Sequence, residues 1–285
     1  MKAALVVNGK AGSLAGLKEP RAALAAALRS GGFMIRDDMD EAASLDAQWA
    51  AVEAGDARVV FVAGGDGTLR DAASRLIDGE RGLAPLPGGT MNRVCARLGL
   101  IMDPVEAAKT YRPGAFVTLD VATANGEVFL YQSIVGAPTR LMRIREMQRG
   151  GGARGWWPLV RAGLRELGRP SSRGLSIRTG VRQRARGHAA VVTLPEPAGP
   201  PRLTCHLARP VGIYSRLRQA VRWFRGELGK DAEVATHSDG RLVVHGRTPW
   251  LRLSLDGEMR LVQGPLKFRL HPGRLKLLVP PEGAG

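Results

Sequence analysis

The stretch Arg58-Val59-Val60-Phe61-Val62-Ala63-Gly64-Gly65-Asp66-Gly67-Thr68, continued by Leu69-Arg70-Asp71-Ala72-Ala73-Ser74-Arg75-Leu76-Ile77, decides the fold. Its first part is a β-branched and aromatic run with no polar break, which reads as a buried parallel strand. Its second part has apolar residues at 69, 72, 73 and 76, the spacing of one helix face. Gly-Gly-Asp-Gly-Thr lies between them. Glycines there let the backbone turn tightly and leave no side chain to hold a ligand away. The helix behind offers free N–H groups and the positive end of its dipole. Strand, glycine turn and helix N-terminus together read as a phosphate cradle. Asp66 is out of place in a purely anion-binding loop, because it repels phosphate unless a metal, a hydroxyl or a backbone donor engages it. Read alone, the pentapeptide is also a strand-to-helix turn capped by Asp66 or Thr68.

Outward from this stretch the same unit recurs. Residues 3–7 read as a strand, followed by the small-residue loop Asn8-Gly9-Lys10-Ala11-Gly12-Ser13. Residues 17–29 read as a helix with Leu17, Leu24 and Leu28 on one side, 33–36 as a weak strand, and 44–54 as an alanine-rich helix. Leu83-Ala84-Pro85-Leu86 is a further short strand, and Pro87-Gly88-Gly89-Thr90-Met91-Asn92 a second glycine loop ahead of a helix. This alternation predicts a doubly wound α/β layer over residues 1–114, with ligands at the carboxyl ends of its strands. The pattern changes near residue 115. Residues 115–121 and 127–135 are extended around the turn Asn125-Gly126. Short strands are expected at 174–179, 188–194, 202–208, 241–245, 250–255, 266–270 and 274–279, and a basic amphipathic helix over 214–228. Residues 115–285 thus form a second, β-rich sandwich-like domain, whose last strand is a candidate to return to the first.

The 285 residues carry a net charge of +16, with 42 Lys+Arg against 26 Asp+Glu. Such an excess suits a polyanionic partner: nucleic acid, an anionic membrane or a phosphorylated ligand. Residues 140–186 alone hold 13 arginines against Glu146 and Glu166, with a glycine-rich run at 149–155 and a helical pattern over 156–167. Cys95 and Cys205 are too few for a disulfide framework and read as small core residues of a reducing compartment. The five histidines show no metal-ligand spacing. No apolar run approaches the ~20 residues that span a bilayer. The expectation is a cytoplasmic protein, peripheral at the inner face of the membrane.

Three separated motifs line up: Gly64-Gly65-Asp66-Gly67-Thr68, then Pro87-Gly88-Gly89-Thr90-Met91-Asn92 continued to Gly99, then Leu255-Asp256-Gly257-Glu258 between two strands. In this order and spacing they resemble the diacylglycerol kinase catalytic-domain family, which includes bacterial diacylglycerol kinases and sphingosine and ceramide kinases. Phe129-Leu130-Tyr131-Gln132-Ser133 and Leu277-Leu278-Val279-Pro280 add to the resemblance, which covers nearly the whole chain. It implies an NAD kinase-like α/β domain that binds ATP, a β-rich domain, and transfer of phosphate to a lipid hydroxyl with Mg²⁺. It implies that Gly64, Gly65, Gly67 and Thr68 hold phosphate, with Asp66 near the reacting groups. Gly89, Thr90 and Asn92 would form the opposing wall, with Asn8 and Lys10 in the first loop. Glu258 is the candidate general base. By itself Asp256-Gly257 reads as a hairpin turn with Glu258 solvated. Four departures stand out, one being Gly136-Ala137-Pro138-Thr139 in place of the usual aromatic-containing turn. Arg70-Asp71 replaces the usual Asn-Glu, and Asn92-Arg93-Val94 replaces Asn-Asp-Phe. The stretch Pro200–Thr204 lacks the acids of the Asp-Gly-x-x-Asp segment of many bacterial members. The competing readings are an NAD kinase, which shares the first motif, and a non-catalytic basic protein that binds nucleotides or nucleic acid. With aromatics at 5% there are few stacking platforms, which disfavours nucleic acid.

Overall fold

The computed structural model describes residues 1–35, 40, 43–136, 174–179, 184–195, 199–210, 212–224 and 227–281. Most of the arginine-rich segment 140–186 lies outside them, as do the glycine run 149–155, the helical pattern 156–167 and residues 137–139. The chain forms two compact units. One comprises Met1–Val121 and the chain from His271 onward; the other is Ala122–Leu270.

In the first unit the apolar runs become parallel strands: β1 (Lys2–Val7), β2 (Met34–Ile35), β3 (Val59–Gly64) and β4 (Gly82–Pro87). Their order is β2-β1-β3-β4. β3 and β4 are buried along their whole length, as continuous hydrophobic runs require. Helices α1 (Pro20–Ser30), α2 (Leu45–Ala54), α3 (Asp66–Leu76), α4 (Arg93–Arg97) and α5 (Pro104–Thr110) connect and follow them. Pro20 sets the start of α1, so Leu17 falls in the preceding turn rather than in the helix. The predicted inner face of α3 is buried at Leu69, Ala72, Ala73 and Leu76. Phe61 anchors the core, with Phe33 and Tyr111 edge-on at 4.8 and 5.2 Å between ring centroids. The Tyr111 hydroxyl donates to the Pro85 carbonyl at 2.7 Å. Leu277 pairs in parallel with Leu83 in β4.

The second unit is β-rich. A six-stranded antiparallel sheet runs in the order β12 (Val234–Asp239), β11 (Leu203–Ala208), β10 (Ala189–Thr193), β7 (Gln132–Gly136), β14 (Trp250–Leu255), β15 (Glu258–Gln263). Across from it lie β13 (Arg241–Gly246), β8 (Leu175–Thr179), β9 (Arg184–Gly187) and the first part of β16 (Leu266–Leu277). Both layers contribute to one core, Val192, Cys205 and Leu253 from the first, Ile177, Leu242 and Phe268 from the second, which makes a sandwich. Asn125 and Gly126, with φ of 51° and 90°, form the hairpin turn between β5 (Val117–Ala124) and β6 (Glu127–Phe129).

Several boundaries differ from the sequence expectation. The extended run 127–135 is broken into β6 and β7, which join different sheets. The two strands expected at 266–270 and 274–279 are one, β16, because Gly273 at φ 61° carries the strand through a bend. β9, β12 and β15 were not anticipated; β12 buries only Val234 and β15 buries no residue. Helix α6 (Ile213–Phe224) begins one residue before the expected 214–228 and ends about one turn short of it.

Arg218 grips the buried Asp231 with two bonds of 2.7 and 3.0 Å, and Arg222 adds a third at 3.2 Å. The Arg218 guanidinium holds the Asp231 carboxyl at about 2, below its usual 3.8, against the opposing effect of burial. A lowered folded-state pKa means that this contribution to stability is complete above the unfolded value and disappears as pH falls toward 2. The urea midpoint of the protein is therefore expected to fall between pH 5 and pH 3, and to fall less in Asp231→Asn. Equal slopes in the two proteins would contradict this.

Candidate functional site

In the first unit, the strand order reverses between β1 and β3. The chain goes from β1 outward to β2, then returns to β3 on the opposite side of β1. The connections therefore leave a crevice at the carboxyl ends of β1 and β3, where doubly wound sheets bind their ligands. Asn8 and Lys10 follow β1, Gly64–Thr68 end β3, and Gly88–Asn92 follow β4 alongside.

Short bonds knit the three loops. The Asn8 backbone N–H donates to the Ala63 carbonyl at 2.9 Å, and the Asn8 side-chain Nδ2 donates to Thr68 Oγ1 at 2.9 Å. Gly88 N donates to the Gly64 carbonyl at 2.9 Å, and Ser13 N to the Gly88 carbonyl at 3.0 Å. Asn92, at φ 45°, turns its amide back onto its own loop, accepting from Gly89 N at 2.7 Å and donating to Gly89 O at 2.9 Å. Here glycine is a steric necessity. A Cβ on Gly89 would lie 2.5 Å from the Gly65 Cα, and one on Gly88 2.7 Å from Gly64 N. Backbone meets backbone at these points, so the loops would have to part. Gly12 is similarly pressed on Thr90, 2.8 Å from Oγ1 to the added Cβ.

Below this crevice Gln48 is buried and bonded to both backbone groups of Val7, accepting from N at 2.7 Å and donating to O at 3.0 Å. Buried Arg21 donates to Gln48 Oε1 at 3.0 Å and to Leu5 O at 2.9 Å. The end of β1, and with it Asn8, is thus fixed by two polar side chains that the sequence pattern did not single out. The available signal was that Arg21 stands three and seven residues before Leu24 and Leu28, on the apolar face of its helix.

Helix α3 begins at Asp66, with Gly65 at its N-cap and no side-chain cap. Its first-turn N–H groups therefore have no acceptor within the helix. Asp66 is buried, and its Oδ1 accepts from Val94 N at 3.0 Å. Val94 is the second residue of α4, whose own N-cap, Asn92, gives no side-chain bond to that helix. Asp66 thus caps the neighbouring helix rather than its own. Its charge reaches Cys95 as well. Burial first, and the Asp66 carboxylate second, push the Cys95 thiol up to about 12, and burial does the same to Cys205. Both cysteines are inert core residues.

In the second unit, Glu258 opens β15 directly after the turn Asp256-Gly257, where φ is 48° and 101°. It pairs across the hairpin with Leu255, so its side chain leaves from the face that Leu251, Leu253 and Leu255 turn to the core. The carboxylate is 47% exposed and stands 3.9 Å from the Arg260 guanidinium, which also meets Glu127 at 3.0 Å. Asp256 was read from sequence as a turn residue only; its side chain does more. Its buried carboxylate accepts from the N–H groups of Leu130, Tyr131 and Gln132 at 2.7, 2.8 and 3.0 Å. It thereby pins the break between β6 and β7 to the hairpin that carries Glu258. Asp256→Ala is expected to cost about 3 kcal/mol, since three N–H groups in and beside the core lose their acceptor. Asp256→Asn, which keeps Oδ1 for Tyr131 and Gln132, should cost less. Urea unfolding measures both; an alanine variant as stable as wild type would refute the clamp.

Among the described residues no group of three or more His, Cys, Asp or Glu side chains could hold a metal. Pro200–Thr204 leads into β11 without a carboxylate. Magnesium that arrives on nucleotide phosphates needs only one or two protein carboxylates, and Asp66 lies beside the glycine loops. Among the described residues no helix is long and apolar enough to cross a membrane.

Residues 2–124 match the family model of the diacylglycerol kinase catalytic domain. Two proteins of Pseudomonas aeruginosa, from strains UCBPP-PA14 and PAO1, both named "Probable lipid kinase YegS-like", are 35% identical over 142 residues. That alignment takes in 47% of this chain and 44% of each relative, so the chain matches less than half the length of these curated relatives. A crystal structure of a diacylglycerol kinase from Bacillus anthracis str. Sterne superposes with a TM-score of 0.66 at 20% identity, covering 98% of this chain and 97% of that one. At that identity the likeness shows a shared fold.

Proposed function

From a chain whose residues 2–124 match the family model of the diacylglycerol kinase catalytic domain, we propose that the protein is an ATP-dependent lipid kinase. Its acceptor is a hydroxyl of a membrane lipid, of the diacylglycerol or ceramide type. The observation that carries the reading is the convergence of Asn8, Gly64–Thr68 and Gly88–Asn92 at the switch point of the first unit, with backbone too close for any side chain. Such a surface fits phosphates. Gly64 closes β3, Gly65, Gly67 and Thr68 present N–H groups at the start of α3, Gly89, Thr90 and Asn92 form the facing wall, and Asn8 sets the Thr68 hydroxyl. Lys10 is exposed nearby in sequence and supplies a point charge.

The chemistry is a substitution at the γ-phosphorus. The lipid oxygen forms the new P–O bond, the bond to the β-phosphate oxygen breaks, and ADP leaves. The hydroxyl proton passes to the Glu258 carboxylate. Magnesium, when bound with nucleotide, neutralises charge on the phosphate oxygens. Asp66 contributes a fixed carboxylate beside the glycine loops. A peripheral position at the cytoplasmic face of the membrane follows from the substrate and the basic charge. Nothing in the crevice or in the comparisons favours an NAD kinase.

The test is γ-labelled ATP supplied with a total lipid extract. Label is expected in one lipid phosphate, whose identity names the acceptor. Label in a dinucleotide, or in no acceptor at all, would overturn the proposal.

A further inference from the structure

Helix α6 is turned inside out for a soluble protein. Among its described side chains the inner side is polar: buried Ser215 donates to Glu233 at 2.9 Å and buried Gln219 reaches the same carboxylate at 3.5 Å, while Arg218 and Arg222, at the border of the two sides, reach back to Asp231. Among the described side chains, Trp223 makes an apolar contact to the sheet, against a cluster that includes Ile134, Val191 and Leu228. Its outer side is apolar. Tyr214, Leu217 and Val221 are 85%, 54% and 43% exposed. At 100° per residue these three share about 60° of arc, a single stripe on the side away from Ser215 and Gln219. They line a shallow groove with the stems of Arg218 and Arg222.

Water gives no reason to expose this stripe while burying a serine and a glutamine. A bilayer interface does. We infer that α6 is the membrane-docking element, with Tyr214, Leu217 and Val221 inserted among the acyl chains of an anionic bilayer. Charge selects this occupant. The helix, Ile-Tyr-Ser-Arg-Leu-Arg-Gln-Ala-Val-Arg-Trp-Phe, has three arginines and no acid. Arg218 and Arg222 flank the stripe and remain 45% and 35% exposed while bound to Asp231. Asp231 thus holds their guanidinium groups at the rim, where lipid phosphates lie. Apolar insertion together with basic flanks is the combination that binds interfacial helices to anionic membranes. The inference deepens the lipid-kinase reading and rests on it for its purpose, since a lipid acceptor must be taken from a bilayer.

The test is co-sedimentation of the full chain, without ATP, with sucrose-loaded vesicles of phosphatidylcholine and phosphatidylglycerol in equal parts. Leu217→Asp and Val221→Asp are each expected to weaken binding about tenfold. Met34→Asp, at an equally exposed apolar position of the first unit, should leave it unchanged. In Leu217→Trp, the emission of the new indole should shift to the blue on adding vesicles. Binding within twofold of wild type in both aspartate variants, with no shift in the tryptophan variant, would overturn the inference. A wild-type dimer that Leu217→Asp disperses, with vesicle binding intact, would overturn it in favour of a second copy of this chain. Phosphoryl transfer to a short-chain lipid in detergent micelles is read separately. Leu217→Asp should retain it, and its absence in the wild type would refute the kinase reading without touching the vesicle result.

Discussion

Glu258→Gln is expected to lower kcat by ~10²–10⁴-fold while leaving the affinity for ATP nearly unchanged, the usual loss when a general base is removed. Glutamine keeps the shape of the side chain and cannot take up the hydroxyl proton. The setting supports the role. Glu258 leaves a hairpin whose turn is fixed by the three backbone bonds of Asp256, so its backbone is held in place. Its carboxylate is half exposed and open to a substrate, with the Arg260 guanidinium 3.9 Å away. The plainer role is that of an ion-pair partner for Arg260. A pair so exposed contributes about 0–1 kcal/mol, so its loss would barely register. The two roles therefore differ by orders of magnitude in one assay. A Glu258→Gln protein with kcat within about threefold of wild type at saturating ATP and lipid would remove Glu258 from the reaction.

Asp66→Asn is expected to lower kcat/KM by ~10²–10³-fold, the size of loss seen when one preorganised electrostatic group is removed from an acyl-transfer site. The substitution is informative because of the Val94 bond. Asparagine keeps an oxygen that can accept from Val94 N, so the cap on α4 survives and the melting temperature should move little. Only the charge is removed. Asp66→Ala, by contrast, should lose both the charge and the cap, about 1 kcal/mol of stability for the latter. Were Asp66 only the capping group, Asn would be nearly silent in turnover and Ala would act through stability alone. Full activity in a folded Asp66→Asn protein would establish that outcome and leave the carboxylate with a structural role.

The parallel layer was legible because its evidence is local. An unbroken run such as Val59–Ala63 is buried on both faces, and the spacing 69, 72, 73, 76 can face only one way on a helix. The glycine loops were legible as well, since their position after each strand follows from the alternation. The β-rich half was read less well. β15 faces solvent along much of its length, so it lacks the burial alternation that marks a strand. The break between β6 and β7 has no local signal in Phe129-Leu130-Tyr131-Gln132, because what makes it is a carboxylate more than 120 residues away.

By itself, then, the chain's order of residues determined that a doubly wound layer with three glycine loops precedes a β-rich domain. It also determined which residues stand at the loops, because periodicity and turn chemistry act over a few neighbours. The tertiary structure alone decided which loops meet. The order β2-β1-β3-β4 brings Asn8 to Thr68 and Gly89 to Gly65. It decided that Asp66 caps α4 and that Asp256 holds residues 130–132. It decided too that α6 turns its apolar stripe outward. An amphipathic period marks two faces of a helix but not which of them is inside. That choice is made by Asp231 and Glu233, which bind the polar face, and it arises only when the whole domain is assembled.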